Sequence, residues 1–182
     1  MVIEIGIAAY SGGPPPKAVS KVSKLVEYFV EICRDVLNDV VFLVGGYEGL
    51  MRFFIDKVLD HKLRVVLIPP AEQEDQRFPE EAIVIKTGVT FIVRSSILVH
   101  SSDILLALGG GVGTLEEVIT AHNEGKPVYV LIDTDLPTDI LKLLPERIDS
   151  RTSNPVKLYS DPEKLAVDLC SELKLLKSQY KA

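Results

Sequence analysis

The chain has 182 residues and a formal net charge of −6. That length suits one domain, spanning 1–182, with a substantial core, and the negative balance gives no electrostatic footprint for nucleic acid. No apolar run reaches membrane-spanning length and the start, Met1-Val2-Ile3-Glu4, carries no basic segment, so a cytoplasmic protein with no membrane partner is expected.

Val2 to Ala9 reads as the first strand, apolar apart from Glu4. Tyr10-Ser11-Gly12-Gly13 and three prolines follow; prolines cannot continue a strand, but they stiffen a loop that enters a helix. Val22, Leu25, Val26, Phe29, Cys33, Val36 and Leu37 recur at helical spacing. Val40 to Val44 is a strand. Gly45-Gly46-Tyr47-Glu48-Gly49-Leu50-Met51 then turns into a helix that runs to about Leu59. Leu63 to Ile68 is a strand stopped by Pro69-Pro70, and the charged stretch from Ala71 to Glu80 is expected to be the most mobile segment. A short strand at Ala82 to Ile85 precedes a helix from Phe91 to His100 that carries Arg94.

Ile104 to Leu108 is an unbroken apolar run, as a strand buried on both faces requires. The helix after it ends at Gly125, and Pro127 to Ile132 is the next strand. Pro137 to Leu144 can make one or two helical turns, Arg147 to Pro155 reads as a loop, and Val156 to Tyr159 as a short strand. Asp161-Pro162-Glu163 supplies an N-cap, a first-turn proline and an acidic first turn for a last helix that buries Leu165, Leu169, Leu173 and Leu176. Strands alternating with helices imply an α/β fold with a mostly parallel sheet covered on both faces.

Ligands in such folds bind beyond the carboxyl ends of the strands. Three loops there are short on side chains: Tyr10 to Gly13, Gly45 to Gly49, and Gly109 to Gly113. The third is the richest, with Gly109, Gly110, Gly111 and Gly113 leading into a helix whose Leu115, Val118, Ile119 and His122 share one face. Glycines let a backbone approach a ligand, and a helix N-terminus offers unpaired N–H groups to an anion. A phosphate on the amides of Gly110, Gly111, Val112, Gly113 and Thr114 is therefore expected, with Gly45, Gly46, Ser11 and Gly12 completing the cleft. A plainer reading stays open: Thr114-Leu115-Glu116-Glu117 also fits a capping box, with Thr114 as N-cap and Glu117 at N3.

Several motifs are excluded. The chain has no Gly-x4-Gly-Lys-Ser/Thr, and Gly109-x-Gly111-x-x-Thr114 lacks the third glycine of a dinucleotide fingerprint, although Asp133 stands where that fingerprint places its ribose acid. Cys33 and Cys170 read as buried small hydrophobes, and His61, His100 and His122 lack metal-ligand spacing. Glu117 lies one helical turn in, where the helix N-terminus favours its ionised form; Glu116 points about 100° away. Arg94 is the other candidate, with a solvated helix charge as its plain alternative.

Gly110-Gly111-Val112-Gly113-Thr114-Leu115-Glu116-Glu117 resembles the Gly-Gly-x-Gly-Thr-x-x-Glu motif of the Lonely Guy phosphoribohydrolases, long called lysine decarboxylase-like. Arg94 stands at the spacing of that family's upstream Arg, Ser102-Asp103 resembles its Ala-Asp, and Gly45-Gly46-Tyr47-Glu48-Gly49-Leu50-Met51 resembles its Gly-Gly-x-x-Gly-Leu-Met. The resemblance implies a Rossmann-like three-layer α/β/α fold and a homodimer. It also implies hydrolysis of the N-glycosidic bond of a nucleoside 5′-monophosphate, with Arg94 and Glu117 catalytic and no metal or other cofactor. Gly109 replaces the family's proline, Ser95 the lysine after its Arg, and Leu98 a methionine. These departures resemble a sister group that includes the molybdenum cofactor carriers. They imply instead a carrier or sensor of a small phosphorylated nucleotide or pterin.

Overall fold

The computed structural model describes residues 2–145, 148 and 154–179. The expected Arg147–Pro155 loop lies largely outside them. Seven strands form one sheet, and every pairing is parallel. They are β1 (Ile3–Ala8), β2 (Val40–Val44), β3 (Arg64–Leu67), β4 (Ile83–Val84), β5 (Ile104–Ala107), β6 (Val128–Leu131) and β7 (Val156–Tyr159), in the spatial order β4-β3-β2-β1-β5-β6-β7. The helices are α1 (Pro16–Ile32), α2 (Gly49–Asp60), α3 (Phe91–His100), α4 (Val112–Asn123) and α5 (Pro162–Gln179). The fold is thus the Rossmann-like three-layer α/β/α arrangement, with a wholly parallel sheet.

Side chains alternate across each strand and divide the core in two. Ile3, Ile5, Ile7, Phe42, Val44 and Leu106 face α1, α2 and α5. Ala8, Val41, Leu43, Leu105, Ala107 and Val130 face α3 and α4. Because both faces are covered, β1, β2, β5 and β6 are apolar along almost their whole length, which is why they read so clearly as strands.

One expectation is corrected, and one expected loop carries local structure. The first helix stops at Ile32, so Val36 and Leu37 leave it; a 3-10 turn, Leu37–Asp39, intervenes, and Asn38 and Asp39 there favour a turn over a helix interior. The Ala71–Glu80 stretch is tied down at several points. Ala71–Gln73 forms a 3-10 turn, Ala71 N donates to Val89 O at 2.8 Å, and Gly88 N donates to Glu74 Oε1 at 2.7 Å.

Cys33 and Cys170 are buried free thiols. Although distant in sequence, they meet between the end of α1 and α5, and burial beside the Cys170 thiol pushes the Cys33 thiol up. Among the described residues no helix is long and apolar enough to cross a membrane.

The chain moves outward from β1 to β4, then returns to place β5 on the other side of β1. The carboxyl ends of β1 and β5 are therefore the topological switch point, where adjacent loops part and leave a crevice. Below it, Phe42 packs edge-on against Phe29 at 5.8 Å and Phe54 at 5.2 Å, joining α1 and α2 to the sheet. Phe42→Ala should cost about 3–5 kcal/mol of unfolding free energy, measured by urea denaturation. A loss below 1 kcal/mol would mean that this cluster does not anchor the sheet.

Candidate functional site

Hydrogen bonds between loops draw the three glycine turns together. Tyr10 N donates to Gly109 O at 3.0 Å, and Leu50 N donates to Tyr10 O at 2.8 Å, so one residue after β1 links the β5 turn to the start of α2. Gly49 has φ +53° and lies against the backbone of Ser11 and Gly12, where a side chain would not fit. Behind the β5 turn, Gly110 N donates to Thr138 Oγ1 at 2.9 Å, and Thr138 N returns a bond to Gly110 O at 3.0 Å.

A cavity of about 290 Å³ opens at the switch point. Of the residues expected from sequence, Ser11, Gly45, Arg94, Gly111, Val112, Gly113, Thr114 and Glu117 line it together. Gly110, Gly46 and Gly12 do not. Gly110 is covered by the Thr114 side chain and spends its N–H on Thr138; the Tyr10 ring lies over Gly12; Gly46 sits beneath the Gln73 amide. Asp133 is also elsewhere, in an exposed ion pair with Lys142.

The capping-box reading does not hold. α4 begins two residues before Thr114, its N-cap is Gly111 with extended backbone, and no side chain caps it. Leu115 N makes the first helical bond, to Gly111 O, so Val112, Gly113 and Thr114 present amides with no intrahelical acceptor. Gly113 has no neighbouring atom within 4 Å of the position a Cβ would take, and Val112 is 79% exposed. The buried face of α4 is also shifted from the expected one. It consists of Thr114, Glu117, Val118, Ala121 and His122, while Ile119 is exposed.

Glu117 is free of any cap and turns toward α3. Arg94 Nη1 donates to its Oε1 at 3.0 Å, and Ser95 Oγ donates to the same oxygen at 2.8 Å. Arg94 is 8% exposed and Glu117 6%, so Arg94 is no solvated surface charge. Its guanidinium lies against Gly45, whose missing side chain makes the room, and its Nε is buried without a hydrogen-bond partner. Burial pushes the Glu117 carboxyl above its ordinary 4.5, against the opposing pull of Arg94 and Ser95; the Glu116 charge adds to the rise. This reverses the expectation from the helix dipole alone. Glu116, expected to point elsewhere, also lines the cavity.

The cavity includes residues that the sequence reading left out of the site. Tyr10, Met51, Gln73, Phe91, Ile92 and Ser95 all line it. Ser95 had a signal, its place directly after Arg94. Gln73 had none, because its approach depends on how the segment after β3 folds back. Among the described residues, no cluster of three or more His, Cys, Asp or Glu side chains could hold a metal. Chemically, the cleft joins open helix amides suited to an anion, a buried carboxylate held through one oxygen, and an arginine partly in reserve.

Two variants test this geometry. Gly113→Ala adds a methyl to open space on a helix, so the thermal midpoint should hold or rise while anion binding in the cavity falls at least about ten-fold. Gly45→Ala should instead displace the Arg94 guanidinium and lower the midpoint; equal midpoints for both variants would contradict the packing. A third measurement concerns Glu117. A raised folded pKa gives stability that is present at low pH and lost as pH rises through that pKa. The unfolding free energy of wild type minus that of Glu117→Gln should therefore decline as pH rises from 4.5 to neutrality. A rising difference would show that Arg94 outweighs burial.

Comparison with known proteins agrees with the fold. The chain resembles an uncharacterized protein of Archaeoglobus fulgidus, 54% identical over 92 residues, a match covering 50% of this chain and 59% of that protein. The crystal structure of TM1055 superposes with a TM-score of 0.72 at 27% identity, covering 94% of this chain and 99% of that one. A molybdenum cofactor binding protein from Rippkaea orientalis superposes with a TM-score of 0.73 at 25% identity, covering 96% and 98%. The model of the SLOG cluster4 family matches residues 18–165, from α1 through the start of α5, and the chain belongs to that family.

Proposed function

We propose that this protein binds a mononucleotide-sized phosphorylated ligand at the switch-point cavity and acts as its carrier or sensor. The observation that carries this reading is the set of open amides at Val112, Gly113 and Thr114, beside a glycine that leaves space for close approach. A phosphate there would accept several N–H bonds and meet the positive end of α4. The cavity volume sits at the low end for small-molecule sites, which favours a mononucleotide or a pterin over a dinucleotide. The likeness to a molybdenum cofactor binding protein supports a pterin as one class of cargo. The net charge of −6 argues against a nucleic-acid partner. The same reading takes the protein as cytoplasmic, on its composition and the character of its first residues, and as a homodimer, on the family resemblance.

A second reading is favoured by one specific feature, the Arg94–Glu117 pair. Both donors to Glu117 fall on Oε1, which leaves Oε2 for a ligand. With the phosphate on α4, that oxygen would stand near the ribose. It could accept from a ribose hydroxyl and stabilise positive charge developing at the anomeric carbon as a base departs. Water would add to that carbon and the base would leave with a proton, giving free base and ribose 5-phosphate.

One panel separates the two. Purified protein would be titrated calorimetrically with nucleoside 5′-monophosphates and then incubated with them, with free base read by chromatography. Binding without base release, retained in Glu117→Gln, is the outcome expected of a carrier. Release that vanishes in Glu117→Gln would establish the hydrolase. Absence of binding by any nucleotide or pterin phosphate would defeat both.

A further inference from the structure

The cavity has a second polar end, away from the α4 amides. The loops that line it follow β5, β1, β2 and β3, which are neighbours in that order. The Gln73 amide lies over Gly46, in the turn after β2, so it stands about two strand spacings from the α4 amides, about 10 Å along the sheet edge. That is a span suited to an extended nucleoside monophosphate. Arg94 and Glu117 fall between the two ends, with the guanidinium over Gly45 after β2.

Gln73 closes the 3-10 turn Ala71–Gln73, and its Nε2 donates to Glu48 Oε2 at 2.9 Å. A carboxylate only accepts hydrogen bonds, so this contact fixes which way round the amide lies. One Nε2 hydrogen and the Oε1 lone pairs are left over. Glu48 does not line the cavity, whereas Gln73 does. Gly46 lies beneath it: a Cβ there would stand 3.1 Å from Gln73 Oε1 and 3.6 Å from Met51 Cε, so the missing side chain gives both groups room to settle at the cavity wall. A fixed amide edge and a soft thioether together suit a flat heterocycle presented edge-on.

We infer that Gln73, oriented by Glu48, is the specificity-determining residue for the heterocycle of the ligand. Its amide pairs with an exocyclic amine next to a ring-nitrogen acceptor, the pairing by which a glutamine reads adenine. The inference rests on the nucleotide-binding reading above and deepens it. Glu48 is a positioning residue that touches no ligand.

The test uses three probes on the full chain: AMP, IMP, which replaces the exocyclic amine by a carbonyl, and ribose 5-phosphate, which lacks the heterocycle. In wild type, AMP should bind about ten-fold or more tightly than IMP. Gln73→Ala should remove that preference and weaken AMP by a similar factor, while ribose 5-phosphate affinity stays unchanged. Glu48→Ala should reproduce part of the AMP loss, with ribose 5-phosphate again unaffected. Equal affinity for AMP and ribose 5-phosphate in wild type would overturn the assignment and leave the phosphate seat standing. So would a Gln73→Ala protein that keeps its AMP preference, or one that loses both ligands alike. A wild type that binds none of the three would sink the nucleotide reading and this inference with it.

Discussion

The buried ion pair between Arg94 and Glu117 is the constraint around which the site is arranged. Taking two charges out of water costs several kcal/mol per ion, and mutual attraction offsets this only when the geometry is good. Here the geometry is supplied from three elements. α3 provides both donors, Arg94 and Ser95; α4 provides the carboxylate; the turn after β2 provides a glycine against which the guanidinium lies. Replacing any of them leaves a buried charge without its partner or its space. The pair thus fixes the two helices of one face relative to the sheet edge, at the point where the crevice opens.

The glycines fall into two classes under this view. Gly45, Gly49, Gly109 and Gly110 are small because protein atoms occupy the space: Arg94, the Ser11–Gly12 backbone, Thr134 and Thr114 respectively. Gly113 is small although its surroundings are empty. Internal packing accounts for the first class and cannot account for the second. A glycine on the first turn of a helix weakens that helix relative to alanine, so its presence there supports the proposed close approach of a ligand.

Much of this was legible in the sequence. The apolar runs of β1, β2 and β5 could hardly be anything but buried strands, and the alternation with helices implied the parallel sheet. The joint role of Arg94 and Glu117 was implied by the family resemblance, whereas the residues alone left Arg94 open to reading as a solvated charge. The boundary of α4 was not legible, because Thr114 has the chemistry of an N-cap and only the packing of its side chain over Gly110 decides otherwise. Gln73 was hidden for another reason. A polar residue in a charged stretch carries no periodic signal, and its approach to the cavity depends on long-range bonds such as Ala71 N to Val89 O. The direction of the Glu117 shift runs against the helix dipole because burial, its largest cause, is invisible until the neighbours are known.

The two halves of the cleft cannot be independent. If the first turn of α4 receives a phosphate, that charge faces Glu117 one turn further along the same helix. Like charges in a poorly solvated cavity favour protonating the weaker acid, and Glu117 is already displaced upward by burial. Ligand binding would then take up a proton, and by linkage a protonated Glu117 would bind the anion more tightly. Arg94 works against this coupling, since its cation supports both anions at once and its buried Nε still has bonding capacity. The balance separates the two proposed activities. A carboxylate driven to its neutral form is a hydrogen-bond donor that grips a ligand, whereas one kept ionised by Arg94 can support positive charge on a sugar. Which of the two proposed activities the cleft supports would therefore turn on the protonation of Glu117, which burial and Arg94 pull in opposite directions.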